Sequence, residues 1–419
     1  MNHAGPKRHF LFLQGMPSPF FPRIAQALRE HGHRTTRINL CLGDHLFWRR
    51  GGEVLDWRGS HAEWPAFIQA FLRQQQVSDL LLLGEQRYYH REAVQAALAQ
   101  GVAVTVHDFG YIRPDWITFE RNGMSGASLF PREPEAIRRL AAASPSPDFA
   151  PRFHDDALRM AAADLLYNFA NLLPLPRYAR YRRSDRRPHT IPYTLASAWR
   201  LLGNRVLRER VHVLVRDIES SGRPYYLFPL QLDHDFQIVA YSPYTGIEHA
   251  IEQVLRSFQL HAPRDALLVL KEHPWDPALR DWQRVSARIA QGLGLASRVR
   301  YLRGGTLDTL MRGSAGVVTV NSTSGLRALQ LGARLKVLGQ AVYDVPGLSF
   351  QGELDAFWTQ ATTPDPELVQ DLLRAIAGSI QIRGVFFREP GLGHAVQQAV
   401  ARLLDGTVGR PGRPGDGQA

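Results

Sequence analysis

Short apolar runs alternate with amphipathic stretches along most of the chain, and this alternation constrains the fold more than any other feature. His9–Gly15, Arg34–Leu40, Asp79–Gly84 and Val102–Asp108 read as strands, with helical patterns over Pro19–Gly32 and Arg91–Gln100. A second series runs through Tyr225–Gln231, Ala266–His273, Arg298–Leu302, Gly316–Asn321 and Leu335–Gly339, with helices near 246–259, 277–292, 324–331 and 366–381. Strands that alternate with helices build a parallel sheet covered on both faces. Two such series predict two Rossmann-like, doubly wound α/β domains with a cleft between them. Between the series lie a Pro/Ala/Ser-rich stretch at 133–150, read as a surface connection, and two long helical patterns, Asp155–Leu173 and Ala196–Ser220. The expected division is 1–222, including a basic helical segment, then 223–405, then a Gly/Pro-rich tail at 406–419 predicted to be disordered.

Composition narrows the function classes. Cys41 is the one cysteine in 419 residues, so an intramolecular disulfide and a Cys-based metal cluster are both excluded. The apolar run after Lys7 and Arg8 is short and meets Gln14, Gly15 and Pro17, which suits a buried strand better than a signal segment. No run reaches the roughly 18 apolar residues of a membrane span. The expectation is a cytoplasmic protein whose membrane association, if any, is peripheral. The formal net charge is +11 and almost all the cations are arginine, Lys7, Lys271 and Lys336 being the only lysines. Six arginines and two tyrosines crowd into 177–187: Arg177, Arg180, Arg182, Arg183, Arg186 and Arg187, with Tyr178 and Tyr181. A solvated loop and a patch facing anionic headgroups, with the tyrosines at headgroup depth, fit that composition equally.

In open α/β sheets ligands bind beyond the carboxyl ends of the strands, so the chemistry is sought there. Asn321-Ser322-Thr323-Ser324-Gly325 follows one strand and opens a helix; three hydroxyls and an Asn exceed what one N-cap uses, which favours an anion site for a phosphate. Lys271-Glu272-His273-Pro274 ends another strand, with proline fixing the turn beside a histidine able to donate to a phosphate oxygen. Gln231-Leu232-Asp233-His234-Asp235 contains D-x-D, a weak three-residue match that turn-forming aspartates also explain. Asp108, Gly110 and Arg113 close the first series, a carboxylate, a glycine for close approach and an arginine suited to a substrate carboxylate. Glu85 and Arg87 follow the preceding strand. His154-Asp155-Asp156 is better explained by helix N-capping than by metal. Gly292-x-Gly294-x-x-Ser297 lacks the third glycine of a dinucleotide fingerprint, and neither a P-loop nor H-E-x-x-H occurs.

The phrases FLQGMPSPFF, RINLCLGDHLFW, GYIRPDWITFE, PLQLDHDFQI, LKEHPWD, VNSTSGLRAL and KVLGQAVYDVPGLSFQGELDAFW, in this order over roughly residues 9–385, resemble the KpsS/LipB type of capsule polysaccharide Kdo transferases. His273-Pro274 and Ser322-Thr323 are similar to the HP and Ser-Ser/Thr motifs that bacterial sialyltransferases use for a CMP-sugar. The resemblance implies a GT-B fold, an N-terminal acceptor-side domain and a C-terminal domain that binds CMP-Kdo. It implies a retaining β-Kdo transferase that acts on phosphatidylglycerol or lysophosphatidylglycerol at the inner-membrane surface and starts a poly-Kdo linker. Other implied partners are a chain-extending Kdo transferase and a capsule exporter; no cofactor, no metal and no nucleic acid are implied. Donor contacts would fall to Gln231, Lys271, His273, Pro274, Asn321, Ser322, Thr323, Ser324 and Gly325, and sugar or acceptor contacts to Glu85, Arg87, Gly110 and Arg113. Asp235 would be the nucleophile, Asp108 the base and His273 the group meeting the leaving phosphate. Asp108 stands where the family usually has Glu, and Glu85 where Asp is expected. A transferase for another CMP-sugar and a non-catalytic glycolipid-binding assembly protein remain as alternatives.

Overall fold

A computed structural model describes residues 7–48, 52–183 and 187–411, with side chains described throughout except at 201–210. The strands in chain order are β1 (His9–Phe12), β2 (Arg34–Asn39), β3 (Glu53–Asp56), β4 (Asp79–Leu83), β5 (Ala103–Phe109) and β6 (Trp116–Arg121). They continue as β7 (Tyr225–Pro229), β8 (Leu267–Lys271), β9 (Val299–Leu302), β10 (Gly316–Thr319), β11 (Leu335–Val337) and β12 (Gln381–Arg383).

The first compact unit comprises residues 1–130, 139–185 and 373–419. Its seven-stranded sheet has the order β12-β6-β5-β4-β1-β2-β3. The five strands β1 to β5 pair in parallel, while β6 turns back antiparallel on β5 and β12 runs antiparallel on β6. Strand alternation places Phe10 and Phe12 on one face and Leu11 and Leu13 on the other, all fully buried. The first face packs on Phe20, Phe21, Ile24 and Leu28 of the helix Phe20–Glu30, and on Phe386, Leu392 and Leu403 from the C-terminal segment. The second packs on Trp64, Ile68 and Tyr89. Each such side chain contributes about 1.5–3 kcal/mol on burial.

The second unit comprises 131–138 and 186–372. Its five strands are parallel in the order β11-β10-β7-β8-β9. Phe228, Leu268, Leu270 and Val318 form its core with Ile251, Phe258, Phe357 and Trp358. Each unit is a doubly wound α/β body, the component expected of a GT-B chain.

Four expectations change. The division at 222–223 does not follow the compact units, because β12 pairs with β6 and so returns residues 373–411 to the first unit. The helix Thr190–Ser220 clusters with the second unit instead of the first. The stretch 133–150 is no mere connection, since Pro134–Ala143 is a helix that buries Ile137 and Ala141. The tail is ordered at its start, where Val408 is buried and the Thr407 amide donates to the Arg402 carbonyl. The rest of that predicted disordered tail, 412–419, lies outside the described residues.

Candidate functional site

In the second unit, two strand-end loops lock together. Past β7, Gln231 is buried and its Nε2 donates to Asn321 Oδ1 at 3.0 Å, while the Asn321 amide donates back to Gln231 Oε1 at 3.1 Å. Asn321 Nδ2 also donates to the Gln237 and Tyr241 carbonyls. Every polar atom of that amide pair faces a partner, so the loops after β7 and β10 are held in one register. The carboxylates nearby each cap a helix. Asp233 Oδ1 accepts from the Ile247 amide at 2.9 Å, and Asp235 Oδ1 accepts from the Gln237 amide at 2.9 Å. Asp233 is thus the turn-and-cap residue that the weaker reading of D-x-D described.

The Asn-Ser-Thr-Ser-Gly segment opens the helix Ser324–Gln330. Ser322 Oγ accepts from the Ser324 amide at 3.2 Å, and the Tyr343 hydroxyl donates to the Ser322 carbonyl. A Cβ on Gly325 would meet the Tyr343 hydroxyl at 2.5 Å and its ring at 2.6 Å, so glycine is needed for that side chain to pass beneath the turn. The Ser324 hydroxyl is buried with no hydrogen-bond partner.

Past β8, Lys271 is buried, which lowers its ammonium pKa. Its Nζ donates to the Glu272 carbonyl at 3.3 Å. Glu272 points elsewhere, into an ion-pair cluster with Arg200 and Arg303 and a 3.0 Å hydrogen bond from the Tyr301 hydroxyl. His273 Nδ1 accepts from the Trp275 amide at 3.1 Å. That bond leaves the neutral ring's proton on Nε2. His273 is half-buried and Pro274 exposed.

The first unit gathers Glu85, Arg87, Asp108 and Arg113 beyond β4 and β5. Asp108 Oδ1 accepts from the Phe109 amide at 2.7 Å, and the Arg113 guanidinium sits 5.1 Å from the Phe109 ring centre. Burial raises the Asp108 pKa, opposed by the Phe109 amide and by the charges of Arg87 and Arg113. Burial pushes Glu85 up to about 7, with the Asp108 charge adding to the shift. Gly110 serves packing: a Cβ there would meet the Trp116 carbonyl oxygen at 2.4 Å.

Beneath this cluster is a carboxyl that the sequence did not single out. Glu120, on β6, is buried and accepts from the Tyr111 hydroxyl at 2.6 Å and from the Ser128 hydroxyl. Burial pushes it up to about 8. A second unforeseen feature is a cleft in the same unit, lined by Gly15, Met16, Arg37, Asp44, Trp48 and Tyr167 among others. Arg37 and Asp44 form a buried ion pair at 3.1 Å at its edge. Both lie in the phrase RINLCLGDHLFW, but only contact with Tyr167, more than a hundred residues away, turns them into a site.

The arginine-rich stretch is partly tied down. Arg177 pairs with Asp56 at 3.0 Å, and Arg180 lies 3.9 Å from Glu63. Both tyrosines make contacts within the first unit. Tyr178 donates to Asp56 at 2.6 Å, and Tyr181 stacks on Tyr89 at 5.9 Å. Arg182 is exposed, Arg183 is half-buried, and Arg187 lies 5.0 Å from the Tyr193 ring centre. Arg186 lies outside the described residues. Asp156 caps the helix Ala157–Ala170 through the Arg159 amide, and Asp155 accepts from the Phe386 and Phe387 amides.

The family model for capsule polysaccharide biosynthesis proteins matches residues 78–387. The chain is 30% identical over 382 residues to the capsule polysaccharide export protein KpsS of Escherichia coli, covering 91% of this chain and 97% of that one. It is 28% identical over 400 residues to the capsule polysaccharide modification protein LipB of Neisseria meningitidis, covering 91% and 92%. Among solved structures it is similar to the β-Kdo 2,7 transferase of KpsC from Thermosulfurimonas dismutans, with 15% identity, a TM-score of 0.47, and coverage of 95% and 99%. A match spanning most of the domain pattern, with the KEHP and NSTSG loops inside it, assigns this chain to the capsule polysaccharide biosynthesis family.

Proposed function

We propose that the chain is a retaining glycosyltransferase that moves Kdo from CMP-Kdo to phosphatidylglycerol or lysophosphatidylglycerol at the inner-membrane surface, starting the lipid-linked part of a capsule. The observation that carries this reading is the His273 ring. With Nδ1 accepting from the Trp275 amide, the neutral ring carries its proton on Nε2, the atom that would donate to the phosphate of departing CMP. Lys271 and the Ser322-Thr323-Ser324 turn supply further positive charge and hydroxyl donors within the same unit, and the Gln231–Asn321 pair keeps that turn in register with Asp235. This chemistry places the leaving-group charge on protein groups and calls for no metal.

Retention with an Asp nucleophile needs an ionised carboxylate in a fixed rotamer. The Gln237 amide supports both for Asp235. Asp108, whose pKa burial raises, is suited to take a proton from an acceptor hydroxyl. Arg113, in the first unit, is suited by its charge to a substrate carboxylate.

The test is release of CMP by purified protein from CMP-Kdo, and separately from CMP-sialic acid, with phosphatidylglycerol and lysophosphatidylglycerol, with the lipid product weighed by mass spectrometry. We expect a Kdo-bearing lipid from CMP-Kdo alone, and a fall of about 10²–10³ in turnover for His273→Ala. A lipid product made only from the other donor, or a His273→Ala enzyme within a few-fold of wild type, overturns the assignment.

A further inference from the structure

The helix Ala157–Ala170 carries apolar side chains on both faces: Met160 and Ala163 pack inward on the core, while a line of larger apolar side chains does not. At about 100° per residue, Leu158, Leu165 and Phe169 fall within about 20° of a single line, and Tyr167 lies opposite. The leucine line faces outward. Leu158 is 84% exposed, Leu165 and Phe169 41% each, Leu166 beside the line is exposed too, and the turn that follows exposes Leu172, Leu173 and Leu175 as well. The polar groups face inward: the Tyr167 hydroxyl accepts from Gln14 Nε2 at 2.8 Å and donates to Asp44 at 3.1 Å, and Asn171 Oδ1 accepts from the Gly43 amide at 2.8 Å. These bonds pin the helix's rotation, so the leucines cannot turn inward without breaking them. An outward apolar stripe of this length is uncommon on a soluble monomer.

Charge selects the occupant. Residues 157–183 carry five arginines against Asp164; Arg159, Arg177 and Arg180 face Asp156, Asp56 and Glu63, while Arg182 and Arg183 add positive charge beyond those pairs. Two copies of so cationic a segment would repel face to face, whereas an anionic bilayer attracts it and takes up the leucines. We propose that the helix Ala157–Ala170 and the turn through Leu175 are an interfacial anchor that seats the first unit on an anionic membrane. The basic stretch then supplies long-range attraction, and the leucines and Phe169 supply the hold. The inference rests on the lipid-acceptor reading for its purpose alone, and its test involves no sugar donor.

The full chain is sedimented with vesicles of phosphatidylglycerol and phosphatidylethanolamine, and with phosphatidylcholine vesicles, at physiological and high salt. Wild type should bind the anionic vesicles and retain part of that binding at high salt. The triple variant Leu165→Gln, Phe169→Gln, Leu173→Gln should lose at least tenfold in partition coefficient with its thermal midpoint unchanged. In a second arm Leu166→Cys carries a nitroxide. Cys41 is buried, so the label reacts at 166 alone, and vesicles should shield it from a water-soluble relaxation agent. A triple variant that binds within twofold of wild type overturns the anchor. So does a label that stays water-accessible on vesicles, or a wild-type dimer in solution that the triple variant abolishes. A chain that releases CMP from CMP-Kdo but ignores vesicles overturns the anchor and leaves the proposed reaction standing. A chain that binds through these residues but releases no CMP does the reverse.

Discussion

Glu120→Gln should remove most of the stability that the chain loses on the alkaline side of neutrality. Four groups of the first unit set the balance. Burial holds Glu85 at about 7 and Glu120 at about 8, both above their ordinary 4.5, and it holds His90 and His107 at about 3, below their ordinary 6.5. A carboxyl with a raised folded pKa stabilises the fold while protonated, and that contribution declines as pH rises through the folded value. A histidine with a lowered folded pKa contributes fully above its unfolded value, and the contribution is lost as pH falls toward 3. Between about pH 4.5 and 6.5 the two acids and two histidines oppose each other, each at up to about 1.4 kcal/mol per pH unit, and stability is nearly level. From pH 6.5 to 8, the loss at Glu85 and the gain at the two histidines nearly offset, while Glu120 loses on the order of 1–2 kcal/mol. Of these four groups, Glu120 carries the net fall. Glutamine keeps an oxygen for the Tyr111 hydroxyl, donates toward Ser128 and cannot ionise. Urea unfolding of wild type and Glu120→Gln at pH 6.5 and 8, followed by intrinsic fluorescence, measures the difference. A variant whose stability falls between those pH values as steeply as wild type, within about 0.5 kcal/mol, would show that Glu120 ionises normally and that the reasoning is wrong.

Two further outcomes follow from named contacts. Asp235→Asn should keep the helix cap and lose Kdo transfer, whereas Asp235→Ala should lose both, at about 1 kcal/mol for the cap and a midpoint drop of about 2–4 °C by calorimetry. Transfer that survives in the Asn variant reduces Asp235 to a capping residue. Arg383→Met strands Asp115, a fully buried carboxylate that Arg383 meets at 2.9 and 3.0 Å, and should cost about 3–5 kcal/mol in urea unfolding. Adding Asp115→Asn should recover part of that loss, and a single variant as stable as wild type would refute the pairing.

The sequence showed most of what repeats locally. β1, β4, β5, β7, β8 and β10 announce themselves through runs of buried apolar residues, and Gly110 and Gly325 mark close approaches that only glycine permits. What stayed hidden depends on distant partners. β12 is three residues long and has meaning only beside β6. β3 is an edge strand whose Val54 is exposed, so it carries no core signature. Glu120 is one acid in a strand pattern until Tyr111 and Ser128 close around it. The leucines of Ala157–Ala170 have clean helical spacing, but spacing cannot tell an inward stripe from an outward one. Contacts made by Tyr167 and Asn171 decide that. Asp233 and Asp235 were visible as acids before helices, a signal that the D-x-D match obscured.

The return of the C-terminal segment to the first unit sets an order of assembly. On the ribosome, the residues that open the chain emerge first, yet their sheet lacks its last strand and one flank of its core until residues 381–405 have been made. Phe20, Phe21 and Phe119 wait for Phe386, Leu392 and Leu403, while the sheet of the second unit is complete once β11 has emerged. The half synthesised first is therefore the half that finishes last. A nascent chain interrupted anywhere before β12 holds an unfinished apolar face for a chaperone to cover, and the emergence of residues 381–405 is the event that closes it.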